Sequence, residues 1–298
     1  SMDDLANILY TSGTTGEPKG VLLHHSTYEE IIRIHDIRLT EMTDKDVSMS
    51  FLPLTHVFER AWTYYCLHKG VVVCLNLKPA EIASTIKEVR PTLMCSVPRF
   101  WEKVYAGVNE KIASEKGIKK SLMLDAIRVG KTHNLDYVRL GKRPPLMLHL
   151  KYKFYEKTIY ALLKKTIGIE NGNFFPVAGA AVPDEICEFV HAVGINMIVG
   201  YGLTESCATV SCFVNPGFEI GSVGTIMPDV QVKIGENDEI LLRGKTITKG
   251  YYKKAEATAE AIDKEGWFHT GDAGYIKDNQ LFLTERIRDL FKTSNGKY

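Results

Sequence analysis

The chain has almost no net charge. Its 37 Lys and Arg residues face 36 Asp and Glu, leaving +1 with the histidines neutral. That balance gives no global pull towards nucleic acid, and no nucleic-acid partner is expected. No stretch approaches the ~20 continuous apolar residues of a membrane span, and no secretory signal opens the sequence. The six cysteines, at 66, 74, 95, 187, 207 and 212, form no CxxC pair and sit mostly in apolar runs. They read as free, buried thiols in a reducing compartment, and a cytoplasmic location is expected. Cys207 and Cys212 have no neighbouring histidine, so packing rather than metal ligation is expected of them. Internal repeats and low-complexity tracts are also lacking. What remains is an ordinary globular composition, 45% hydrophobic and 24% charged over 298 residues, long enough for about two domains.

Against that background one stretch stands out, Tyr10-Thr11-Ser12-Gly13-Thr14-Thr15-Gly16-Glu17-Pro18-Lys19-Gly20. It follows the apolar run Leu5 to Leu9. Glycines let the backbone turn sharply and bring several N–H groups to one anion, hydroxyls add donors, and a lysine adds a mobile positive charge. These are the needs of a loop that holds a polyphosphate. It is not the Walker pattern, because Lys19 lies three residues after Gly16 and Gly20 stands where Ser or Thr should be.

Elsewhere, apolar runs at Asn7–Tyr10, Val47–Leu54, Val71–Leu77, Thr92–Val97 and Ile195–Gly200 read as buried strands, and Val21–Leu23 continues the first beyond the loop. Helical patterns lie between them: a capping box at Ser26–Glu29 leads into Ile31 and Ile34, a second covers His56–His68, and Pro79 opens a third. Such alternation predicts parallel βαβ units covered on both faces. From about Tyr105 to Gly168 the strand signal gives way to long helical patterns. Beyond Gly221, short alternating strands with a turn at Lys277-Asp278-Asn279-Gln280 predict a small antiparallel sheet or barrel.

Five motifs then fall into one order. The loop Tyr10–Gly20, Gly179-Ala180-Ala181, Gly200-Tyr201-Gly202-Leu203-Thr204-Glu205, Trp267-Phe268-His269-Thr270-Gly271-Asp272 and Glu285-Arg286-Ile287-Arg288-Asp289 together resemble the adenylate-forming enzymes. Gly221-Ser222-Val223-Gly224 and Gly250-Tyr251-Tyr252 match as well. The fold this resemblance implies is the α/β large N-terminal domain of that superfamily, in parallel βαβ layers with a small antiparallel β sheet or barrel subdomain. Its implied division is an α/β core over 1–220 with a helical insertion at about 105–168, a small β subdomain over 221–285, and a hinge over 286–298. Family members carry a longer N-terminal portion and a separate C-terminal domain, so the chain resembles a middle piece of such an enzyme.

The implied roles follow residue by residue. Thr11, Ser12, Gly13, Thr14, Thr15, Gly16 and Lys19 would hold the β- and γ-phosphates of ATP through charge-assisted hydrogen bonds. Tyr201 would stack on adenine, beside Gly202 and the small residues Gly179, Ala180 and Ala181. Thr204 would touch the α-phosphate and Glu205 would bind Mg²⁺, a hard cation for which one carboxylate suffices beside phosphate oxygens and water. Asp272 would accept from the ribose hydroxyls, Arg286 would reach ribose and phosphate, and Arg288 would stand at the hinge pivot. Glu285 and Arg288 replace the family's usual Asp and Lys there. The lysine that the family places on its C-terminal domain has no counterpart, since Lys292 and Lys297 precede that domain.

The acid is addressed by Leu52-Pro53-Leu54-Thr55-His56-Val57-Phe58-Glu59-Arg60, which resembles the long-chain fatty acyl-CoA synthetase form of its motif, with His56 beside the carboxylate pocket. Amino-acid-activating relatives carry an aspartate where Val57 stands. An unpaired ammonium there would cost several kcal/mol, which disfavours amino acids. Val97-Pro98-Arg99-Phe100-Trp101-Glu102-Lys103 also resembles the long-chain subfamily, although Trp101 suits a core as well as an acyl gate. The expected activity of the intact protein is therefore ATP-dependent conversion of a fatty acid to acyl-adenylate and acyl-CoA, with CoA as co-substrate and little activity in this chain alone. Two alternatives stay open: nucleotide binding without catalysis, and transfer of the acyl group to a carrier protein or to oxygen. The basic residues of the helical stretch, interleaved with Leu, Phe and Tyr, fit a solvated face or contact with a membrane surface. The solvated face is the favoured expectation.

Overall fold

The computed structural model describes residues 1–11 and 17–286, with Glu285 and Arg286 described by backbone alone. Chain order begins with a hairpin of β1 (Leu5–Thr11) and β2 (Lys19–His24), followed by α1 (His25–Arg38). The α/β layer follows: β3 (Val47–Ser50), α2 (Val57–His68), β4 (Val72–Leu75) and α3 (Ile82–Val89). Four helices come next: α4 (Pro98–Ser114), α5 (Gly117–Lys131), α6 (Leu146–Tyr155) and α7 (Ala161–Ile167). The layer resumes with β5 (Phe175–Val177), α8 (Asp184–Ala192), β6 (Met197–Tyr201), β7 (Ser211–Cys212) and β8 (Thr225–Ile226). The last part holds β9 (Gln231–Ile234), β10 (Glu239–Arg243), α9 (Ala255–Ala261), β11 (Phe268–Lys277) and β12 (Gln280–Arg286).

The first sheet is parallel where the sequence alternates strand and helix. β3 pairs with β4 and β5 with β6, both parallel, while single parallel bridges at Leu93 and Ser96 stitch the two pairs together. The period-two alternation of strands sorts the side chains between its faces. Leu93, Cys95 and Phe174 pack with Trp62, Tyr65 and Cys66 of α2. Met49, Met94, Phe175 and Val177 instead join Ile86, Trp101, Val129 and Phe189 from α3, α4, α5 and α8. Both faces are thus covered. α5 comes so close to α8 that a Cβ on Gly130 would lie 2.2 Å from the Ala192 carbonyl oxygen, which leaves glycine as the residue that fits.

The second sheet is antiparallel, in the order β12-β11-β10-β9. Its tight turn sits at Asp278 and Asn279, whose φ values of 48° and 63° are the left-handed pair that a two-residue hairpin turn needs. The β1–β2 hairpin joins this region through a Val21–Tyr251 bridge, and Leu9, Val21 and Leu23 share one apolar cluster with Ile240, Leu242, Phe268 and Leu281. The neck of the hairpin, Thr11 and Lys19, therefore stands where the hairpin meets the antiparallel sheet.

Three local expectations are corrected. α1 has no side-chain cap. It starts at His25, and its first amides donate to the Asp4 and Met2 carbonyl oxygens at 3.1 and 2.8 Å, which leaves no need for a capping box at Ser26. Val71–Leu77 is not a buried strand: β4 has β3 as its one partner in the sheet, and Val72 and Leu75 are exposed. Thr92–Val97 forms isolated bridges rather than a full strand. The six cysteines are free, and all but Cys74 are buried, with the Cys212 thiol 3.7 Å from the Met227 sulfur. Trp101 is fully buried, donates to the Ser96 hydroxyl at 2.9 Å and packs edge-on against Phe175. No helix among the described residues is long and apolar enough to cross a membrane.

Candidate active site

A cleft of about 1640 Å³ opens between the two sheets. That exceeds the ~300–1,000 Å³ of a typical single-ligand pocket, so it has room for a nucleotide together with a second substrate. Thr11, Lys19, His56, Gly179, Tyr201, Gly202, Thr204, Glu205 and Asp272 all line it, drawn from segments far apart in sequence.

Each position has a local cause. Thr11 and Lys19 face each other across the neck of the hairpin, where the Thr11 hydroxyl donates to the Lys19 carbonyl oxygen at 3.4 Å. Ser12, Gly13, Thr14, Thr15 and Gly16 lie outside the described residues. β6 delivers Tyr201 at its end. Gly202 then passes so close to the Ala208 carbonyl oxygen that a Cβ would stand 1.2 Å from it. Only glycine fits there, and the chain can then turn tightly into Thr204-Glu205-Ser206. The Ser206 hydroxyl accepts from the Leu203 amide at 2.9 Å and fixes that turn.

Two hydrogen-bonded pairs connect the walls. The Tyr201 hydroxyl donates to Asp272 at 2.7 Å, joining the end of β6 to β11. The Tyr251 hydroxyl donates to Glu205 at 2.9 Å, and the Lys19 ammonium lies 5.1 Å from the centre of the Tyr251 ring. Lys19, Tyr251 and Glu205 thus form one run of charge, ring and charge. Burial pushes the Glu205 carboxyl above its usual range. The Tyr251 hydrogen bond and the Lys19 charge pull it back in part, and the nearby Asp272 charge adds to the rise. Two carboxylates sharing a partly desolvated cleft make a place where a bound cation lowers the energy, and this donor set fits Mg²⁺. No group of three or more His, Cys, Asp or Glu among the described residues could hold a metal by itself. A cation here would take its remaining ligands from phosphate and water.

Asp272 stands opposite Arg286 in the β11–β12 register. The turn ahead of it is held by Glu239, whose carboxylate accepts from the Gly271 amide at 2.9 Å and meets His269 Nδ1 at 2.9 Å. Ala180 and Ala181 are exposed and do not line the cleft, because Gly179, at a φ of 92°, turns the chain away after it. His56 sits exposed at the N-terminal end of α2, where its side chain makes no capping hydrogen bond. Arg288 lies outside the described residues, and so do Lys292 and Lys297.

Sequence reasoning missed Tyr251 and Glu239 as parts of the site. Tyr251 carried a signal in its Gly-Tyr-Tyr match. Glu239 carried none beyond opening a strand.

The family model for AMP-binding enzymes matches residues 1–252. Among curated relatives, long chain acyl-CoA synthetase 4 of Arabidopsis thaliana is 30% identical over 321 residues, covering 99% of this chain and 46% of that protein. Among solved structures, the O-succinylbenzoate coenzyme A synthetase of Bacillus subtilis in complex with AMP superposes with a TM-score of 0.68 at 21% identity, over 97% of this chain and 51% of the other. The N-terminal domain of FACL13 from Mycobacterium tuberculosis, bound to an inhibitor, gives 0.67 at 22% identity, over 95% and 61%. The likeness to both structures is one of fold. The chain spans about half the length of the curated relatives it matches.

Proposed function

Because this chain belongs to the AMP-binding enzyme family, we propose that the protein it represents activates a fatty acid with ATP, forming an acyl-adenylate and then acyl-CoA. The observation that carries this reading is the single cleft bordered by Lys19, Tyr201, Glu205 and Asp272. In it, the loop over 11–19 holds the β- and γ-phosphates, with Lys19 placed to draw negative charge towards the departing pyrophosphate. Tyr201 faces adenine while its hydroxyl orients Asp272 towards the ribose. Thr204 donates to the α-phosphate, and Glu205 holds Mg²⁺, which when bound neutralises phosphate charge. Fixed donors aimed at developing negative charge are the main source of acceleration in such a displacement. The acid's carboxylate attacks the α-phosphorus, the bond to pyrophosphate breaks, and the CoA thiol later displaces AMP. We assign His56 to the carboxylate side of the cleft, Arg286 to ribose and phosphate, and residues 286–298 to a hinge.

Two observations favour a fatty acid over an amino acid. Val57 is buried and apolar beside His56, and the relatives that match carry long-chain acyl-CoA synthetase names. Radiolabelled pyrophosphate exchange by the intact protein tests this. Exchange driven by long-chain fatty acids is expected, whereas exchange with amino acids and none with fatty acids overturns the substrate class. Product analysis with CoA present separates acyl-CoA formation from transfer to a carrier protein.

A smaller effect tests the ribose side. Tyr201→Phe keeps the ring and removes the hydrogen bond to Asp272. ATP affinity is expected to fall about three- to tenfold, the range of one ordinary hydrogen bond of about 0.5–1.5 kcal/mol. Calorimetric titration reads it, and an unchanged affinity removes Tyr201 from the positioning role.

A further inference from the structure

The helical stretch exposes a surface whose chemistry differs from the rest of the chain. Between residues 139 and 165 the sequence holds eight Lys or Arg and one acid, Glu156, in a chain whose total is +1. Within it, α6 turns Leu146, Met147, Leu150 and Phe154 outwards, exposed by 71, 77, 54 and 59%. At about 100° per residue these four fall within one arc of roughly 100°. The opposite side of the same helix is seated, with Tyr152 and Tyr155 buried and Tyr155 donating to Asp125 at 2.6 Å. A solvated face carries polar side chains, and this stripe carries four large apolar ones.

The flanking charge says what would cover it. Lys151 is paired with Asp125 and Lys153 with Glu156, each at 2.7 Å. Lys142 and Arg143 just ahead of α6, and Lys157 just beyond it, enter no ion pair among the described residues. An apolar stripe bordered by unneutralised Lys and Arg, in a region nearly free of acids, is complementary to an anionic lipid surface. Basic side chains there reach the headgroup phosphates while the apolar ones enter the acyl boundary.

We propose that α6 is a membrane-surface element that docks on anionic bilayers. Leu146, Met147, Leu150 and Phe154 lie below the headgroups, and Lys142, Arg143 and Lys157 lie among the phosphates. The helix rests in the interface and does not span it, in keeping with the lack, among the described residues, of any helix long and apolar enough to cross a membrane. The proposal does not depend on the adenylation reading, although a bilayer is where long acyl chains reside.

Co-sedimentation of the intact protein with phosphatidylcholine vesicles, with and without a minority of phosphatidylserine, is the test. Binding to the phosphatidylserine vesicles is expected, weakened by added salt because the attraction is screened. Leu150→Ser with Phe154→Ser is expected to lower the partition about tenfold, through lost apolar insertion. Arg143→Glu with Lys157→Glu is expected to lower it comparably on anionic vesicles, leaving the weak binding to pure phosphatidylcholine unchanged. All four positions are exposed, so the unfolding midpoints should not move. Equal partition of variants and parent overturns the proposal, and so does the absence of binding to any vesicle. It also fails if the apolar variant abolishes self-association of the chain without changing vesicle binding, since the stripe is then a contact between copies. The readout needs no nucleotide, so its failure leaves the catalytic reading intact.

Discussion

Glu205→Gln in the intact protein is expected to slow pyrophosphate exchange by about 10²–10³-fold, the usual cost of removing one preorganised electrostatic group, with no loss of folding stability. The two halves of that expectation have one origin. Burial pushes the Glu205 carboxyl above its usual range, so holding the anion in the cleft opposes folding. Gln keeps the shape and can still accept from the Tyr251 hydroxyl, which lies 2.9 Å from the carboxylate. A charge that costs stability and is only partly offset by Lys19 finds its counterpart in a bound cation. The variant should therefore need more Mg²⁺ for half-maximal exchange, while its thermal midpoint stays level or rises slightly. If activity and midpoint fell together, Glu205 would be a structural link to Tyr251 and not a ligand. Full exchange activity at ordinary Mg²⁺ would remove it from the site altogether.

The sequence made this site legible because its parts are short and rigid. Gly202, Thr204 and Glu205 sit in one run after a buried strand, and the strand's end fixes where they point. The placement of Asp272 at the cleft was readable for the same reason: Gly271, at a φ of 71°, turns the backbone just ahead of a charged side chain. Contacts between elements were not readable. Nothing in the sequence says that the Tyr251 ring comes between Lys19 and Glu205, since that meeting depends on how the hairpin docks on the β9–β12 sheet. Glu239 is equally silent until β10 and β11 pair. Local rules also failed where tertiary partners superseded them. Ser26–Glu29 looked like a helix cap, yet carbonyls from residues 2 and 4 already satisfy those amides. Ala180 and Ala181 continue a run of small residues, but the backbone leaves the cleft at Gly179. The burial of Glu59, inside a motif read for its histidine, was hidden in the same way.

Glu59 leads to the second large expectation. Its side chain is fully buried in the first turn of α2, with one carboxylate oxygen accepting from the Leu52 amide at 3.2 Å and the Ser50 and Thr63 hydroxyls and the Phe51 amide close enough to favour the anion in part. The helix N-terminus favours the anion by about 0.3–1 kcal/mol, which is small beside the cost of taking a carboxylate out of water. Burial accordingly pushes this carboxyl up to about 7. The thiols it faces, Cys66 and Cys95, are raised even further by their own burial, so Glu59 titrates alone at this spot around neutrality. In the unfolded chain the group releases its proton near its ordinary value of about 4.3. Between those two values the folded state binds more protons than the unfolded one, so Glu59 makes stability fall as pH rises, and its contribution levels off above about pH 7. At 1.36 kcal/mol per pKa unit the fall amounts to about 4 kcal/mol. Glu59→Gln should remove it. Denaturant unfolding of variant and parent should then agree to within about 1 kcal/mol near pH 5, and the variant should be more stable by up to about 4 kcal/mol near pH 8. A difference that stays constant across that range would mean that the carboxyl remains ionised throughout, with the hydrogen bonds from Ser50, Phe51, Leu52 and Thr63 outweighing its burial.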